Sequence, residues 1–471
     1  MKRSLSRKLP ALVAAGALVA SLMAVTAGAS SPGAGLPVKF DPDILAPNSS
    51  GRAIVGFDHD VTSGTIRRLA SAGIAQAVRF DTIDAVGVVG PVAAYKAIAG
   101  WSDVSFVDDD SRIRFNNYSA KKDTHVDQVR KGAGGLDRKY TGKGVTVAVV
   151  DTGIWSPHPD LDDRVVKHLN FEGGWFFDMI NDGVYSDQVA EATGNPIDSY
   201  GHGTHVAGIV AGTGEAGGPD PDMSGVAPGA KLVNFKIADV HQGVDCTVPC
   251  DIGWEMNALV AYEYLIEHRN DKSIGGIDIA TNSWSVYEVD SEAEPITLIV
   301  DAAARHGIIN LFAASNDGCP TDGKTNTVAL GPNRLPSVLT IAAAEKSDGA
   351  GLGTIASFSS CGPQVDVTAP GVDIWSAMAP SVDGAIGGHA PPGPAENRAY
   401  YTSLSGTSMA TPHAAGIVAL LLEANPKLGF KQIRSILTKT AVDYGPKGFD
   451  NSWGYGEIDA FKAVTKAEAL R

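Results

Sequence analysis

Four polar residues stand where apolar runs end or small-residue helices begin: Asp151, His202, Asn316 and Ser408. Their types match one chemistry. A serine hydroxyl becomes a useful nucleophile when a base takes its proton, a carboxylate orients that base, and a donor holds the oxyanion that forms. Taken singly, each has a plainer reading: a capping aspartate, a surface histidine, a turn asparagine, a serine in a helix cap. Their joint occurrence at the ends of regular elements is what carries weight.

The elements that must position them read as follows. Val145-Thr146-Val147-Ala148-Val149-Val150 is a continuous β-branched run, as a buried parallel strand requires, and it delivers Asp151-Thr152-Gly153 at its carboxyl end. Gly201-His202-Gly203-Thr204-His205-Val206-Ala207-Gly208 opens a helix with His202 at its start. Ile308 to Ala314 is a second buried strand, ending in Ser315-Asn316-Asp317-Gly318. Gly406-Thr407-Ser408-Met409-Ala410-Thr411-Pro412-His413 reads as a tight turn feeding a helix. In that reading Gly406 supplies backbone freedom, Thr407 the cap, and Pro412 is tolerated near the first turn. Ile417, Val418, Leu420, Leu421 and Leu422 make the helix apolar nearly all round, so it should be buried and should hold Ser408 at the positive end of its dipole.

From Tyr140 onward strands and helices alternate, over 145–151, 202–211, 231–238, 252–268, 277–283, 295–306, 308–314, 338–343, 365–368 and 408–423. This predicts an α/β fold with a doubly wound, mainly parallel sheet and right-handed crossovers. Two stretches, 160–199 and 380–400, read as long loops.

The segments "VAVVDTGI", "GHGTHVAGIVAG", "FAASNDG", "VTAPG" and "GTSMATPHAAG" stand in the order found in the subtilisin-like serine proteases, over roughly residues 120–465, and the chain resembles that family. The resemblance implies a subtilisin-like peptidase with Ser408 as nucleophile, His202 as general base and then acid, and Asp151 as its orienting carboxylate. Asn316 would donate to the oxyanion beside the Ser408 backbone N–H. An extended protein or peptide substrate would add a strand along Ser283-Trp284-Ser285. Relatives usually carry Gly where Ser285 stands. Asp317 would face the specificity pocket or be an exposed turn aspartate, the latter being favoured. Asp160 matches a position where many relatives ligate calcium; an ordinary exposed aspartate is the other reading, since the following "GTGEAGGPDPDMSG" lacks the usual ligand pattern. No cofactor is required for the chemistry. His205 and His413 lack a metal-ligand spacing and are expected to pack within their helices.

Composition bounds the rest. The 471 residues, 44% hydrophobic, suffice for one large core and a small domain, while a net charge of −15 argues against a nucleic-acid partner. Residues 1–29 read as a signal peptide: Lys2, Arg3, Arg7 and Lys8, then an apolar run, then Ala27-Gly28-Ala29. The product is expected to be secreted, extracellular, monomeric and free of membrane contact once the signal is removed. Export makes the four cysteines disulfide candidates; of three pairings, Cys246–Cys250 with Cys319–Cys361 is favoured, free thiols being the alternative for the second pair. Residues 30–51 read as a disordered lead-in and 52–115 as a small α+β unit resembling the family's propeptide, a chaperone and intramolecular inhibitor. Residues 116–139 read as linker and mature N-terminus, and 140–471 as the peptidase domain. A catalytically silent scaffold of the same fold and a tripeptide-releasing exopeptidase are the rival readings; the first has no need to retain all four residues, and the second differs in its cleft.

Overall fold

The computed structural model describes residues 39–45, 51–80, 82–110, 112–115, 123–171, 177–178, 198, 200–217, 223–241, 250–286, 295–320, 325–345, 353–379 and 400–471. The signal segment, Cys246, the 380–399 loop and the bonds expected to be cut at the linker lie outside them.

The small N-terminal layer consists of β1 (Arg52–Phe57), α1 (Ser63–Ser71), β2 (Gln76–Phe80), β3 (Ala85–Val89), α2 (Val92–Ala99) and β4 (Val104–Asp109). Its strands pair antiparallel in the order β4-β1-β3-β2. Thr62 starts α1 through a capping box with Thr65, each satisfying a backbone N–H that the helix start leaves without a partner. Next come β5 (Arg112–Phe115), α3 (Val126–Lys131), β6 (Thr146–Asp151), β7 (Val165–Asn170) and β8 (Phe177–Asp178). They are followed by α4 (His202–Ala211), β9 (Lys231–Lys236), β10 (Ala238–His241), β11 (Cys250–Trp254), α5 (Glu255–Glu267), β12 (Ile279–Asn282) and β13 (Trp284–Val286). The chain ends with α6 (Pro295–Arg305), β14 (Ile309–Ala313), β15 (Val338–Ala344), β16 (Val365–Pro370), β17 (Ile374–Ala377), β18 (Tyr401–Leu404), α7 (Thr407–Ala424), α8 (Phe430–Thr440) and α9 (Ala460–Glu468).

A seven-stranded sheet, β16-β15-β14-β12-β6-β9-β7, organises the large domain, and every pairing in it is parallel. Parallel strands covered on both faces must be apolar throughout, and β6, β14 and β15 are buried at every position. On one face α4 and α7 pack with Val147, Val149, Leu311 and Ile341. On the other, α5 and α6 share a core with Val150, Phe235 and Phe312, and Ile54, Phe80 and Ala85 of the N-terminal layer join it. The expected doubly wound fold is present.

Several expectations are corrected. β7 lies within the expected 160–199 loop: its side chains are only half-buried at the sheet edge, so the segment carries no continuous apolar signal. β2, α3, β17, β18, α8 and α9 were not assigned from the sequence, and 250–254, partly read as helix, is strand. The lead-in is ordered in part, because Phe40 and Ile44 are buried and the Asp41 N–H reaches Val107 O at 2.9 Å. Gly406 has φ 171°, ordinary extended backbone, and Thr407 lies inside the helix rather than capping it.

Cys319 and Cys361 form a disulfide with a Cα–Cα distance of 5.3 Å, as expected. The Cys246–Cys250 pairing falls outside the described residues. Among the described residues no helix is long and apolar enough to cross a membrane.

Candidate active site

The sheet brings the carboxyl ends of β6, β12 and β14 side by side, and this is where open α/β sheets build sites. β6 ends at Asp151; α4 begins at His202, whose Nδ1 lies 2.7 Å from Asp151 Oδ1. With that carboxylate as acceptor, Nδ1 carries the proton and Nε2 presents the basic lone pair. The approach is close enough to need glycine. A Cβ on Gly203 would stand 2.1 Å from Gly153 O and 3.1 Å from Asp151 Cβ. Asp151 Oδ1 also accepts from the Thr152 N–H at 2.8 Å, so the carboxylate is oriented by both its strand and its histidine.

Ser408 sits in the first turn of α7, a helix whose apolar surround fixes it in the core. Its hydroxyl donates to Ser283 O at 3.0 Å, and the Ser283 hydroxyl donates back to Ser408 O at 2.8 Å. Asp151, His202 and Ser408 are all fully buried. A hydroxyl has one proton, so in this form it is committed to Ser283 O, and the O–H must turn away from that carbonyl before a base can take the proton.

Asn316 follows β14. Its Oδ1 accepts from both the N–H and the hydroxyl of Thr407, each at 2.9 Å. That double contact fixes the amide flip, turning the Nδ2 donors away from Thr407. The preceding Ser315 has φ +93°, a region that L-residues avoid at a cost of about 1–3 kcal/mol. The turn is held by Ser360 N–H to Ser315 O at 3.0 Å, Asp317 N–H to Ser360 Oγ at 3.0 Å, and Gly318 N–H to Phe358 O at 2.7 Å. Asp317 is exposed and receives the Ser315 hydroxyl, as the turn reading expects.

Along Ser283-Trp284-Ser285 lies a strand of the chain itself. β5 pairs antiparallel with β13 on one side (Phe115 opposite Trp284, Arg114 opposite Ser285) and with β11 on the other. Trp284 turns into the core, its Nε1 donating to Val150 O at 3.0 Å. Ser285 is buried as well.

Asp160 is buried, which overturns the exposed reading, and its surroundings do not suit a calcium ligand either. Its Oδ2 accepts the Tyr401 hydroxyl at 2.6 Å and its Oδ1 the Ala216 N–H at 2.9 Å. A cation needs about six to eight oxygens facing it, whereas these oxygens face hydrogen-bond donors. His205 is buried, its Nε2 bonded to Ile374 O at 3.0 Å, and burial with His202 nearby pushes its pKa down to about 3. His413 Nε2 contacts Thr124 Oγ1 at 2.7 Å. Both pack in their helices, as anticipated.

Sequence reasoning passed over the roles of Thr152 and Asp198, and it read Thr407 as a cap rather than as the partner of Asn316. Asp198 precedes His202 by one helical turn's worth of sequence, but it lay in a stretch read as loop. Its only signal was an acidic residue just ahead of a helix start.

The parallel sheet thus carries the Asp151–His202 pair at the carboxyl end of β6, and Ser408 bonded to Ser283 just beyond the neighbouring strand β12, the setting of a hydrolase of the serine class. Residues 142–456 match the model of the subtilase family, and the chain belongs to that family. It is a serine endopeptidase. It is 32% identical over 405 residues to serine protease AprX of Bacillus subtilis (strain 168), covering 82% of this chain and 80% of the relative. It is 31% identical over 382 residues to subtilisin E of the same organism, covering 80% of each. The solved structure of fervidolysin from Fervidobacterium pennivorans, described as a keratinolytic enzyme related to subtilisin, has the same fold. Its TM-score is 0.65 at 24% identity, over 91% of this chain and 63% of that one.

Proposed function

We propose that the chain is a secreted pre-pro-protein whose large domain cuts peptide bonds through Ser408, His202 and Asp151 by way of an acyl-enzyme. Asn316 and the Ser408 N–H hold the oxyanion, the chain cuts itself between Phe115 and Asp123, and residues 52–115 stay bound afterwards as an inhibitor whose tail still occupies the cleft. The observation that carries this reading is β5. It lies between β11 and β13 in a four-stranded sheet, paired along its length as an extended substrate pairs with a sheet edge. Phe115 stands opposite Trp284, next to Ser283, whose carbonyl receives the Ser408 hydroxyl. The strand therefore runs toward the nucleophile. A tail tethered to a folded unit meets the cleft at high effective concentration, which favours cutting in cis.

The test compares wild type with Ser408→Ala in a protease-free system. Wild type should begin between Asn116 and Asp123 and should label with a fluorophosphonate; Ser408→Ala should do neither. Equal maturation of the variant would reject self-processing by Ser408, and an unlabelled but mature wild type would favour a silent scaffold.

A further inference from the structure

Asp198 is fully buried beside the catalytic pair, yet it is neither a member of it nor in contact with a reacting atom. Its Oδ1 accepts from the Gly201 N–H at 2.7 Å, the Tyr200 N–H at 3.2 Å and the Thr152 hydroxyl at 2.9 Å. Its Oδ2 accepts from the Thr204 N–H at 2.8 Å. Gly201 offers no side chain to cap α4, so Asp198 takes over that duty and satisfies donors that the helix start leaves without partners.

The Thr152 hydroxyl links this cap to the other half of the site. Its proton goes to Asp198, the nearer acceptor, rather than to Asp151 Oδ1 at 3.3 Å. That orientation leaves an oxygen lone pair for the Gly203 N–H at 2.9 Å. One carboxylate thus ties the end of β6, which carries Asp151, to the start of α4, which carries His202.

We infer that Asp198, acting through Thr152, is a positioning residue for the Asp151–His202 pair. The inference rests on the triad reading given above. Burial raises the Asp198 pKa, while the Thr204, Gly201 and Thr152 donors work to keep it ionised. Asn at this position would turn an amide N–H toward one of these donors. A misplacement near 1 Å of a reacting group can cost about 10²-fold in rate.

The experiment measures kcat and KM on a peptide substrate for protein matured from the full chain. Active enzyme is counted by stoichiometric fluorophosphonate labelling, and the variants are Asp198→Asn, Thr152→Val, Thr152→Ser and the double variant Asp198→Asn/Thr152→Val. The expected result is a fall in kcat of about 10²-fold in both single variants, with KM nearly unmoved. Thr152→Ser, which keeps the hydroxyl, should lose far less than Thr152→Val. The double variant should be little worse than either single, because both break one linkage. Losses confined to KM, or losses that multiply in the double variant, would overturn the inference. If Asp198→Asn does not fold, the comparison of Thr152→Ser with Thr152→Val decides it: equal losses reject the hydroxyl link. Ser408→Ala run alongside separates the two claims. Activity persisting there rejects the triad itself, whereas a dead Ser408→Ala with wild-type kcat in the Asp198 and Thr152 variants rejects only the positioning role.

Discussion

Ser283 and Ser408 hold one another by two hydrogen bonds that run in opposite directions, hydroxyl to carbonyl each way. The reason lies four residues further on. In a regular α-helix the carbonyl of residue 408 would accept the N–H of residue 412, but that residue is Pro412 and has no N–H. The Ser283 hydroxyl supplies the missing donor. The proline that interrupts the helix ladder thereby fastens the backbone of Ser408 to the junction of β12 and β13, where β5 lies.

Ser283→Ala should therefore destabilise the protein by about 1–3 kcal/mol, the usual consequence of leaving a buried carbonyl without a donor. Denaturant unfolding in a Ser408→Ala background, which suppresses self-digestion and keeps the 408 carbonyl, measures this directly. An unchanged midpoint and slope would mean that another donor serves Ser408 O.

Asn316→Leu should lower kcat by about 10²–10³-fold with little change in KM, the range typical of losing one oxyanion donor. Thr407→Val removes one of two contacts that fix the Asn316 amide and should lower kcat in the same direction by less. Steady-state kinetics on one peptide ester decide the matter. A Thr407→Val effect larger than that of Asn316→Leu would contradict the proposed division of labour.

The parts of this site legible in the sequence were those whose residues close a long apolar run. Asp151 closes a fully buried strand, Asn316 follows another, and His202 and Ser408 stand at the start of buried helices, so the apolar runs marked their elements, while their roles came from the resemblance of the surrounding segments to the subtilisin-like family. Asp198 and Thr152 act through contacts between segments far apart in sequence, and no local pattern encodes such a pairing. β7 escaped because it is an edge strand with half-exposed side chains, and β5 because its partners β11 and β13 lie more than a hundred residues away. For Asp160 the sequence offered a calcium ligand or an exposed aspartate, and neither reading could anticipate the bond from Tyr401, which lies 241 residues away.

Glu457 gives a pH prediction. It is buried, and desolvation together with the Asp123 charge raises its pKa to about 8. Its Oε1 has no hydrogen-bond partner among the described residues. A folded-state pKa above the unfolded value near 4.3 means that this group favours folding fully below the unfolded value, and that the benefit is lost as pH rises through about 8. Glu457→Gln in the Ser408→Ala background should raise Tm relative to its parent at pH 9 and change it little at pH 5. Equal effects at the two pH values would show that Glu457 ionisation is not linked to folding.

Tyr401→Phe tests how the Asp160 carboxylate is satisfied. Removing the hydroxyl 2.6 Å from Oδ2 should cost about 1–3 kcal/mol, since a buried carboxylate loses a donor. Added calcium should not restore the loss. Recovery of Tm with calcium would instead return Asp160 to the role of a cation ligand.

Asp110 fastens the N-terminal layer to the large domain and should govern how long inhibition lasts. Its Oδ1 accepts the Met256 N–H at 2.7 Å, at the start of α5, where the helix dipole favours negative charge. Its Oδ2 lies 2.6 Å from Arg52 Nε, and the carboxyl is wholly buried. Around it the contact is close-fitting: Thr82 N–H donates to Glu263 Oε1 at 2.7 Å, and a Cβ on Gly87 would meet Met256 Sδ at 2.5 Å. Burial raises the Asp110 pKa, while Arg52 and the Met256 N–H oppose that shift. Asp110→Ala takes away both the α5 contact and the ion pair with Arg52. Truncating one member of a buried, hydrogen-bonded pair typically costs about 2–5 kcal/mol, much of it the penalty on the partner left behind. The cost falls on the docked state, so the severed layer should leave the cleft sooner. Hydrolysis of a peptide substrate, followed continuously from refolding, should show a shorter lag in Asp110→Ala than in wild type, with the same final rate per labelled Ser408. An unchanged lag at equal folding yield would place the hold on the cleft in β5 alone.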